Sequence, residues 1–418
     1  MITIADKQKC CGCSACSEAC PQKCISMLPD AEGFLYPSVD ARKCISCGMC
    51  EKACPVLRYS CAQDIVSIGG ETKEEITQRI VLQSKNNPKA FVGFNKNDEV
   101  RNDSTSGGFF SVLADHIVDI GGAVAGARFN DKFEVEHWIA ESGSEIGQFR
   151  GSKYVQSKQG DIYLRIKKLL DEGRWVLYAG TPCQAAGLKS FLHSRDYERL
   201  VIVDVFCHGV GSPLYWQEYL KYVSETQKKS IDRIKFREKT YGYNSACLAI
   251  YFSDGSSTKK GHDEDYYWAA FSKCMIFRPI CYACPFKTLK HEYSDFSIGD
   301  FWDTTGLDQE YISANGCSLV LVQSEKGMEL LQEIAESITL CDIDLQRALL
   351  INGGWQPSKL ITPSEKPLER STIFEDLFVL GFLRTAKKNT PVTTKTRIKA
   401  VLKPILYKTG LLEKLKKV

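Results

Sequence analysis

The residues of this sequence with the clearest chemistry are its cysteines. The spacing Cys-x2-Cys-x2-Cys-x3-Cys-Pro occurs twice near the N-terminus, at Cys10, Cys13, Cys16 and Cys20 and again at Cys44, Cys47, Cys50 and Cys54. Three thiolates on one tight loop can bind three irons of a cube, while the fourth thiolate of each run points toward the neighbouring cube. We therefore predict two 4Fe-4S clusters. The first would be held by Cys10, Cys13, Cys16 and Cys54, and the second by Cys44, Cys47, Cys50 and Cys20.

The same spacing is typical of bacterial two-cluster ferredoxins. Zinc knuckles or disulfides are the alternative interpretation, but zinc sites usually pair two Cys-x-x-Cys knuckles and seldom add a regularly spaced third and fourth thiol. Cys11, Cys24 and Cys61 fall outside the pattern. We expect them to be neighbouring or incidental thiols rather than ligands.

Four later cysteines could form a third site. Cys183 and Cys207 each follow a predicted parallel strand, at the edge where α/β sheets bind ligands. Cys281 and Cys284 form a Cys-x-x-Cys knuckle, with Cys274 as a possible substitute ligand. These thiols predict a third 4Fe-4S cluster, but the residues alone are equally compatible with small buried cysteines and a knuckle that binds nothing.

The elements that must position these cysteines follow from the apolar patterns between them. Strands are predicted at 124–129, 133–139, 175–179 and 200–206, with helices at 109–120 and 161–171, a helix ending at Phe191, and another at 213–225. This alternation predicts a mainly parallel sheet covered on both faces. Further strands are expected at 231–236 and 245–252, and further helices at 327–339 and 371–383.

Two polar features beside these elements are candidates for ligand contact. The turn Ser106-Gly107-Gly108 before the predicted helix at 109–120 could bind a phosphate or serve as an ordinary N-cap. Asp300, at a strand end, could handle a proton, bind a ribose hydroxyl or cap a turn. His208 beside Cys207 could tune that site or be a structural histidine.

Composition and charge limit the class of protein. Eleven of the 19 cysteines lie in the first 61 of the 418 residues, in cluster spacing, which favours a reducing compartment. No run of eighteen apolar residues occurs and the first eight residues are polar, so neither a membrane-spanning helix nor a secretory signal is predicted. We therefore expect a cytoplasmic protein.

The C-terminal segment differs in charge from the rest of the chain. Residues 385–418 contain ten Lys and Arg but only one acidic residue, Glu413, although the whole chain has a net charge of only +3. Ile398, Val401, Leu402 and Ile405 alternate with the basic residues, and Pro404 is expected to limit the helix. Such a segment could lie on the inner face of an anionic membrane, dock on an acidic partner or be solvated. Nucleic-acid binding is not expected, because only Tyr407 interleaves an aromatic ring.

Six ordered motifs resemble the coenzyme F420 hydrogenase/dehydrogenase beta-subunit family from about Lys89 to Gly354. They are Ser106-Gly107-Gly108, Gly151-Ser152-Lys153-Tyr154-Val155, Gly180-Thr181-Pro182-Cys183-Gln184, Phe206-Cys207-His208-Gly209, Arg278-Pro279-Ile280-Cys281-Tyr282-Ala283-Cys284 and Ser294-Asp295-Phe296-Ser297-Ile298-Gly299-Asp300-Phe301-Trp302. The resemblance implies an iron-sulfur flavoprotein that passes electrons from clusters through FAD to a deazaflavin. It also implies that Cys183, Cys207, Cys281 and Cys284 are the ligands of the family's own 4Fe-4S cluster.

By the same resemblance, the surroundings of the flavin are Ser106, Gly107, Gly108, Ser152, Lys153, Tyr154, Thr181 and Pro182. Lys153 and Asp300 are the catalytic candidates. Similar-looking fused chains often occur near polysaccharide-synthesis enzymes, so the substrate could be coenzyme F420 or an unidentified small molecule such as a saccharide precursor. The expected redox partner is a ferredoxin, a hydrogenase or dehydrogenase subunit, or a polysaccharide-pathway enzyme. The alternative is an electron-transfer module without a substrate of its own.

These inferences predict a small ferredoxin-like α+β domain followed by a larger α/β domain. The predicted boundaries are a dicluster domain at 1–61, a linker at 62–88, a flavin and iron-sulfur domain at 89–354, a helical extension at 355–383 and a basic tail at 384–418.

Overall fold

A computed structural model of the chain describes residues 2–59, 75, 78, 81, 87–289, 293–350 and 364–414. Cys61 and almost all of the predicted linker lie outside these residues. The predicted domain boundaries at 61/62, 88/89 and 354/355 stay predictions.

The N-terminal region is a small α+β unit with an internal repeat. Its elements are α1 (Ala15–Glu18), β1 (Ile25–Pro29), β2 (Leu35–Val39), α2 (Met49–Lys52) and α3 (Pro55–Tyr59). Strands β1 and β2 form an antiparallel hairpin. Each cysteine run winds through two left-handed residues, Gly12 and Ser14 in the first and Ser46 and Gly48 in the second. These backbone reversals curl each run into a tight loop before its one-turn helix, as three thiols around one site require.

A mixed sheet of eight strands organises the larger region. The strand order is β13-β3-β12-β11-β7-β6-β4-β5. The strands are β3 (Lys89–Asn95), β4 (Ala123–Phe129), β5 (Val135–Ala140), β6 (Val176–Gly180), β7 (Leu200–Val205), β11 (Phe296–Phe301), β12 (Cys317–Val322) and β13 (Ile338–Ile343). The four central strands β4, β6, β7 and β11 are parallel, and the strands at both margins are antiparallel. The predicted α/β class is thereby confirmed.

Helices cover both faces of this sheet, as the alternation of its buried residues shows. The helices around it are α4 (Asp98–Asp103), α5 (Phe109–Asp119), α6 (Gly143–Ile146), α7 (Ile162–Asp171), α8 (Pro182–Phe191), α9 (Pro213–Gln227), α11 (Glu325–Glu333) and α12 (Leu345–Leu350). Val124 and Leu177 face the core that contains α5 and α11. Their chain neighbours Ala123 and Val176 face the core that contains α7 and α8. The second core also contains buried residues of the dicluster region, including Cys13 and Cys54.

A second sheet and five further helices complete the described structure. The sheet is antiparallel and has the order β10-β9-β8, with β8 (Ile231–Glu238), β9 (Cys247–Phe252) and β10 (Ser257–Lys260). The remaining helices are α10 (Tyr266–Ser272), α13 (Ile373–Leu380), α14 (Phe382–Asn389), α15 (Thr394–Lys408) and α16 (Leu411–Lys414). Among the described residues, no helix combines the length and apolar character needed to cross a bilayer.

Three predicted elements differ from the structure. The helix predicted at 327–339 ends at Glu333, and Ile338 and Thr339 instead begin β13, because β-branched residues there pair with the edge of β3. The helix predicted at 371–383 is broken at Gly381, whose φ is 73°. Helix α15 continues through Pro404, since proline removes one amide hydrogen bond but has a φ close to the helical value.

Polar contacts join the dicluster region to the sheet domain. The Glu18 carboxylate accepts a hydrogen bond from the amide of Leu164, 2.9 Å away, in the first turn of α7. Burial raises the pKa of Glu18 to about 8. Arg370, in the C-terminal segment before α13, pairs with Glu32 of the dicluster region and donates to the carbonyl of Phe277 of the sheet domain at 3.0 Å. The orientation of the dicluster region relative to the sheet is therefore set by side chains of both regions.

Candidate functional site

The first thiol set is buried against the sheet domain. Burial, together with the nearby thiols of Cys10 and Cys54, raises the pKa of the Cys16 thiol to about 12. The pKa of Cys13 is also raised by burial, although a hydrogen bond with Cys11 opposes this effect. Buried thiols of this kind ionise when a metal centre supplies positive charge. The structure thus brings together the four residues predicted to hold the first cluster.

The second thiol set lies nearer the surface. A small cavity is lined by Cys20, Cys44, Cys47 and Cys50, which are the four residues predicted for the second cluster. Cys47 is exposed, and the neighbouring Ile45 is 60% exposed. Cys24 also lines the cavity, with its sulfur 3.3 Å from that of Cys20. This cavity is therefore the part of the dicluster region that a docking protein can approach.

The third thiol set is brought together from three separate parts of the chain. Cys183 lies in the first turn of α8, Cys207 just beyond β7, and Cys281 and Cys284 in and after a 3-10 helix at Pro279–Ala283. Burial is the main cause of the raised pKa of Cys207, Cys281 and Cys284, and each of these thiols also feels others of the set. The buried Lys287 opposes these shifts. Its ammonium donates to the carbonyl of His208 at 3.3 Å.

Cys274 and His208 lie outside this third set. The sulfur of Cys274 is 3.2 Å from Nε2 of His208, and the Tyr282 hydroxyl donates to the carbonyl of Cys274 at 2.5 Å. Within the described residues, no three His, Cys, Asp or Glu side chains converge as ligands of a single metal ion would. A 4Fe-4S cube differs because it distributes its four thiolates over four irons.

Cys11 lies between the first and third thiol sets. Its thiol lies beside those of Cys13 and Cys183. The contact with Cys13 and burial raise the pKa of Cys11 well above the ordinary value, although the contact with Cys183 opposes this effect. A Cβ atom added at Gly187 in α8 would lie 3.1 Å from the sulfur of Cys13, so glycine allows the first cysteine loop to approach this helix closely. The two thiol sets are neighbours across this contact.

A large cavity of about 520 Å³ opens at the carboxyl ends of the central strands β6, β7 and β11. Ligands of open α/β sheets usually bind at this edge, and the volume is in the usual range for cofactor pockets. Cys207 lines the cavity, so the third thiol set adjoins it. Of the residues expected around a flavin, six line it: Ser106, Gly108, Ser152, Lys153, Tyr154 and Thr181. Gly107 and Pro182 are not among the lining residues.

The loops that carry these residues are tied to each other. The amide of Ser152 donates to the hydroxyl oxygen of Thr105 at 2.7 Å, and the hydroxyl oxygens of Ser106 and Ser318 are 2.9 Å apart. Gly107 is needed for packing, because an added Cβ atom would lie 2.3 Å from the carbonyl oxygen of Gly93. Gly108, with a φ of 87°, begins α5 without a side-chain cap. The amides at the start of α5 are thus available at the cavity wall.

Arg237 is a partly buried cation in the cavity wall with hydrogen-bonding capacity to spare. Its Nη2 lies 3.3 Å from a carboxylate oxygen of Asp300. The Tyr154 side chain also adjoins the guanidinium, but Nε and Nη2 have no hydrogen-bond acceptor of suitable geometry. Arg237 also has a φ of 61°, which is strained for a residue with a side chain. Buried donors without acceptors and strained backbone are both features of binding sites.

Lys153 lines the cavity but directs its ammonium group to its own loop. Nζ donates to the carbonyl oxygens of Phe149, Arg150 and Gly151 at 3.3, 3.2 and 3.1 Å. Burial lowers the pKa of Lys153 to about 7. The side chain holds the loop at 149–151 in place, and its charge changes near neutral pH.

Several residues of this site carried no signal in the sequence. Arg237, Lys287 and Cys11 lie outside any recognisable spacing, and their roles depend on contacts with distant segments. Lys239 is a further example. Its ammonium donates to the carbonyls of Arg101 and Ser106 at 2.8 Å each and so anchors the turn before α5.

Comparison with known proteins identifies two family segments. Residues 9–57 match the 4Fe-4S dicluster domain. Residues 173–346 match the C-terminal region of the beta subunit in the coenzyme F420 hydrogenase/dehydrogenase family. Both resemblances seen in the sequence are confirmed. The second match includes all four cysteines of the third thiol set and Asp300, while the first includes both cysteine runs.

The matches describe an iron-sulfur electron-transfer protein similar to the beta subunit of coenzyme F420 hydrogenase. A chain of the F420-reducing NiFe hydrogenase complex from Methanosarcina barkeri, solved as a xenon derivative, is 16% identical, with a TM-score of 0.45. The alignment covers 69% of this chain and 92% of that one. No curated protein sequence matches the chain.

Proposed function

We propose that the chain is an iron-sulfur flavoprotein oxidoreductase that moves electrons between ferredoxin-type clusters and a small hydride donor or acceptor. The observation that carries this proposal is the position of Cys207. It belongs to the third thiol set and also lines the large cavity. An electron carrier held by these thiols would therefore adjoin any redox cofactor in the cavity.

The cavity has the groups needed to hold FAD. The unsatisfied donors of Arg237 and the uncapped amides at the start of α5 suit a diphosphate or the carbonyl oxygens of an isoalloxazine ring. Ser106, Ser152 and Thr181 add hydroxyl groups at the wall. Bound FAD would exchange single electrons with the clusters and a hydride with the substrate. Asp300 lies beside Arg237 and could orient its guanidinium or hold a proton near the substrate.

The thiol sets form a series from the surface to the cavity. The set with exposed Cys47 is the outermost, and the set with Cys10 and Cys13 is buried against α8. Cys11 then contacts Cys183 of the third set. We therefore assign the surface around Ile45 and Cys47 as the docking site of a redox partner, such as a ferredoxin, a hydrogenase or dehydrogenase subunit, or a polysaccharide-pathway enzyme.

The second candidate function is an electron-transfer module that serves a partner enzyme and has no substrate of its own. The large cavity beside Cys207 favours the enzyme, because a module of this kind needs no pocket for a small molecule. Coenzyme F420 is the first substrate to test, since the matched family is named after it. A precursor of polysaccharide synthesis is the other candidate.

An anaerobic assay tests the function directly. The full chain with its cofactors would be mixed with reduced ferredoxin and coenzyme F420, and loss of the F420 absorbance would be followed. We expect reduction that depends on both ferredoxin and flavin. A chain that binds flavin but reduces neither F420 nor a panel of small acceptors would support the module instead.

We also propose a cytoplasmic location with contact to the inner face of the membrane through α15. The helix turns its aliphatic side outward: Ile398, Val401, Leu402 and Ile405 are exposed by 55%, 72%, 44% and 58%. These positions follow helical spacing, and Lys395, Arg397, Lys399 and Lys408 around them are exposed. The inward side includes Lys403, near Tyr241 and Glu264. An exposed apolar stripe among basic residues fits an anionic lipid surface.

A further inference from the structure

Arg278 is a fully buried arginine at the contact between the dicluster region and the sheet domain, with 0% of its surface exposed. It comes directly before the 3-10 helix that carries Cys281, but its guanidinium extends to the first cysteine loop. Its Nε donates to the carbonyl oxygen of Cys10 at 2.7 Å, and its Nη2 lies 3.4 Å from the Cys10 sulfur. One side chain thus joins the first and third thiol sets.

The remaining contacts of Arg278 are also with neutral groups. Nη1 donates to the side-chain oxygen of Gln156 at 2.8 Å, and Nη2 donates to the carbonyl of Leu35 at 2.9 Å. The guanidinium lies 4.1 Å from the centre of the Tyr36 ring. These groups give each guanidinium nitrogen at least one acceptor but do not neutralise its charge.

Two carboxylates near Tyr36, those of Asp30 and Glu32, have other cations as partners. Asp30 pairs with Lys7 at 2.6 Å, and Glu32 pairs with Arg370. Among the described residues, none of the ion pairs involves Arg278. A buried charge without a countercharge is costly, and breaking a buried pair typically costs several kcal/mol. The position requires a negative group, and among the described residues the only acceptor of Arg278 that can become an anion is the Cys10 thiol.

We propose that Arg278 is the countercharge of the cluster held by Cys10, Cys13, Cys16 and Cys54, and that it raises the reduction potential of this cluster. The proposal rests on the cluster assignment made under the proposed function. A cluster with four thiolate ligands carries net negative charge, which increases on reduction. A fixed cation and a hydrogen bond to a ligand sulfur therefore stabilise the reduced state more than the oxidised state.

The charge of Arg278 would affect which of the two ferredoxin-type clusters holds the electrons. The second thiol set, with exposed Cys47, has no comparable buried arginine in its cavity wall, which is lined by Cys20, Gln22, Cys24, Ile25, Val39, Cys44, Ile45, Ser46, Cys47, Gly48 and Cys50. Solvent exposure stabilises the reduced state of the second cluster, so the proposal requires that the charge of Arg278 outweighs this effect and makes the first cluster the easier of the two to reduce. Electrons that arrive from a partner at the exposed cluster would collect next to Cys183 and the cavity.

The test is a redox titration of the full chain, purified anaerobically and followed by electron paramagnetic resonance. We expect Arg278→Gln to reduce the ratio of reduced to oxidised first cluster at least tenfold at a fixed potential, which is 59 mV for a one-electron couple. The other clusters should change much less. Arg278→Lys keeps the charge and should recover most of the wild-type potential. Gln156→Ala removes a neutral partner of Arg278 and serves as the control, with no comparable shift expected.

The iron content of each protein distinguishes a wrong role for Arg278 from a wrong cluster assignment. An Arg278→Gln variant with wild-type iron and an unchanged midpoint would overturn the role of Arg278 and leave the proposed function intact. If this variant does not fold, the wild-type protein still tests the proposal through the midpoints of its own clusters. The variant Cys47→Ser identifies which electron paramagnetic resonance signal belongs to the exposed cluster. A first cluster with the lower midpoint of the two would then refute the proposal. A wild-type chain without iron at the first set would refute the cluster assignment as well.

Discussion

Replacing Arg237 tests whether the large cavity is a flavin site. Arg237 offers two unsatisfied donors to the cavity, and a hydrogen bond to a charged group contributes about 1.5 to 3 kcal/mol. If these donors bind the diphosphate or ring oxygens of FAD, Arg237→Met should weaken FAD binding about 10- to 150-fold. The strained φ of residue 237 is retained in the variant, because methionine has a Cβ atom like arginine.

The assay is a titration of flavin-depleted protein with FAD, followed by quenching of flavin fluorescence under anaerobic conditions. Arg233→Met is the matched control, since Arg233 lies on the same strand but is exposed and stacks 4.1 Å from the Tyr251 ring. We expect wild-type affinity for this control and partial recovery for Arg237→Lys. An Arg237→Met variant with wild-type iron content and unchanged FAD affinity would refute the assignment of the cavity wall.

Three further perturbations test other parts of the account. Because serine is a poor ligand for iron-sulfur clusters, Cys284→Ser should lower the iron content from about twelve to about eight per chain. Both ferredoxin-type signals should remain, and loss of either would contradict the ligand sets. Burial raises the pKa of Asp204 to about 7, so the folded state binds the extra proton and stability falls as pH rises from about 4 to 7. Asp204→Asn should therefore stabilise the chain at pH 8 by up to roughly 4 kcal/mol and have little effect at pH 4. Anaerobic urea unfolding measures this, with the exposed Asp232→Asn as control. Equal effects at both pH values would be evidence against a protonated Asp204. Val401→Asp should abolish sedimentation with anionic phosphatidylglycerol vesicles, whereas Leu164→Asp, at an apolar position 44% exposed, should not. Two results would exclude the membrane contact: vesicle binding that Val401→Asp leaves unchanged, or a dimer of the protein that Val401→Asp separates into monomers.

The parts of this protein that could be predicted from the sequence are those encoded locally. The two cysteine runs specify their own loops, and the strands and helices between residues 109 and 252 have clear apolar periods, so their existence and order were predictable. Arg278 was not, because its function depends on Cys10, 268 positions away in the chain. The antiparallel margin formed by β12, β3 and β13 was also hidden, since β3 pairs with β12 and β13 across more than 200 residues.

Local sequence patterns are a poor guide to residues whose structure depends on contacts with distant parts of the chain. Pro404 suggested a helix end, yet α15 continues through it on the protein surface. The catalytic role that the family resemblance implies for Lys153 stays a prediction, and the structure adds that its ammonium group is bound by three carbonyls of its own loop. Arg237 gave no signal in the sequence, because its surroundings form only when β8 and Asp300, which are distant in the chain, lie side by side.

The central claim is that three 4Fe-4S clusters and one flavin form a continuous series in this chain. Anaerobic purification with quantification of iron, sulfide and flavin tests it most directly. We expect about twelve irons, about twelve sulfides and one FAD per chain. About eight irons and no flavin would contradict the claim, and would leave a ferredoxin-type region attached to a sheet domain without redox cofactors of its own.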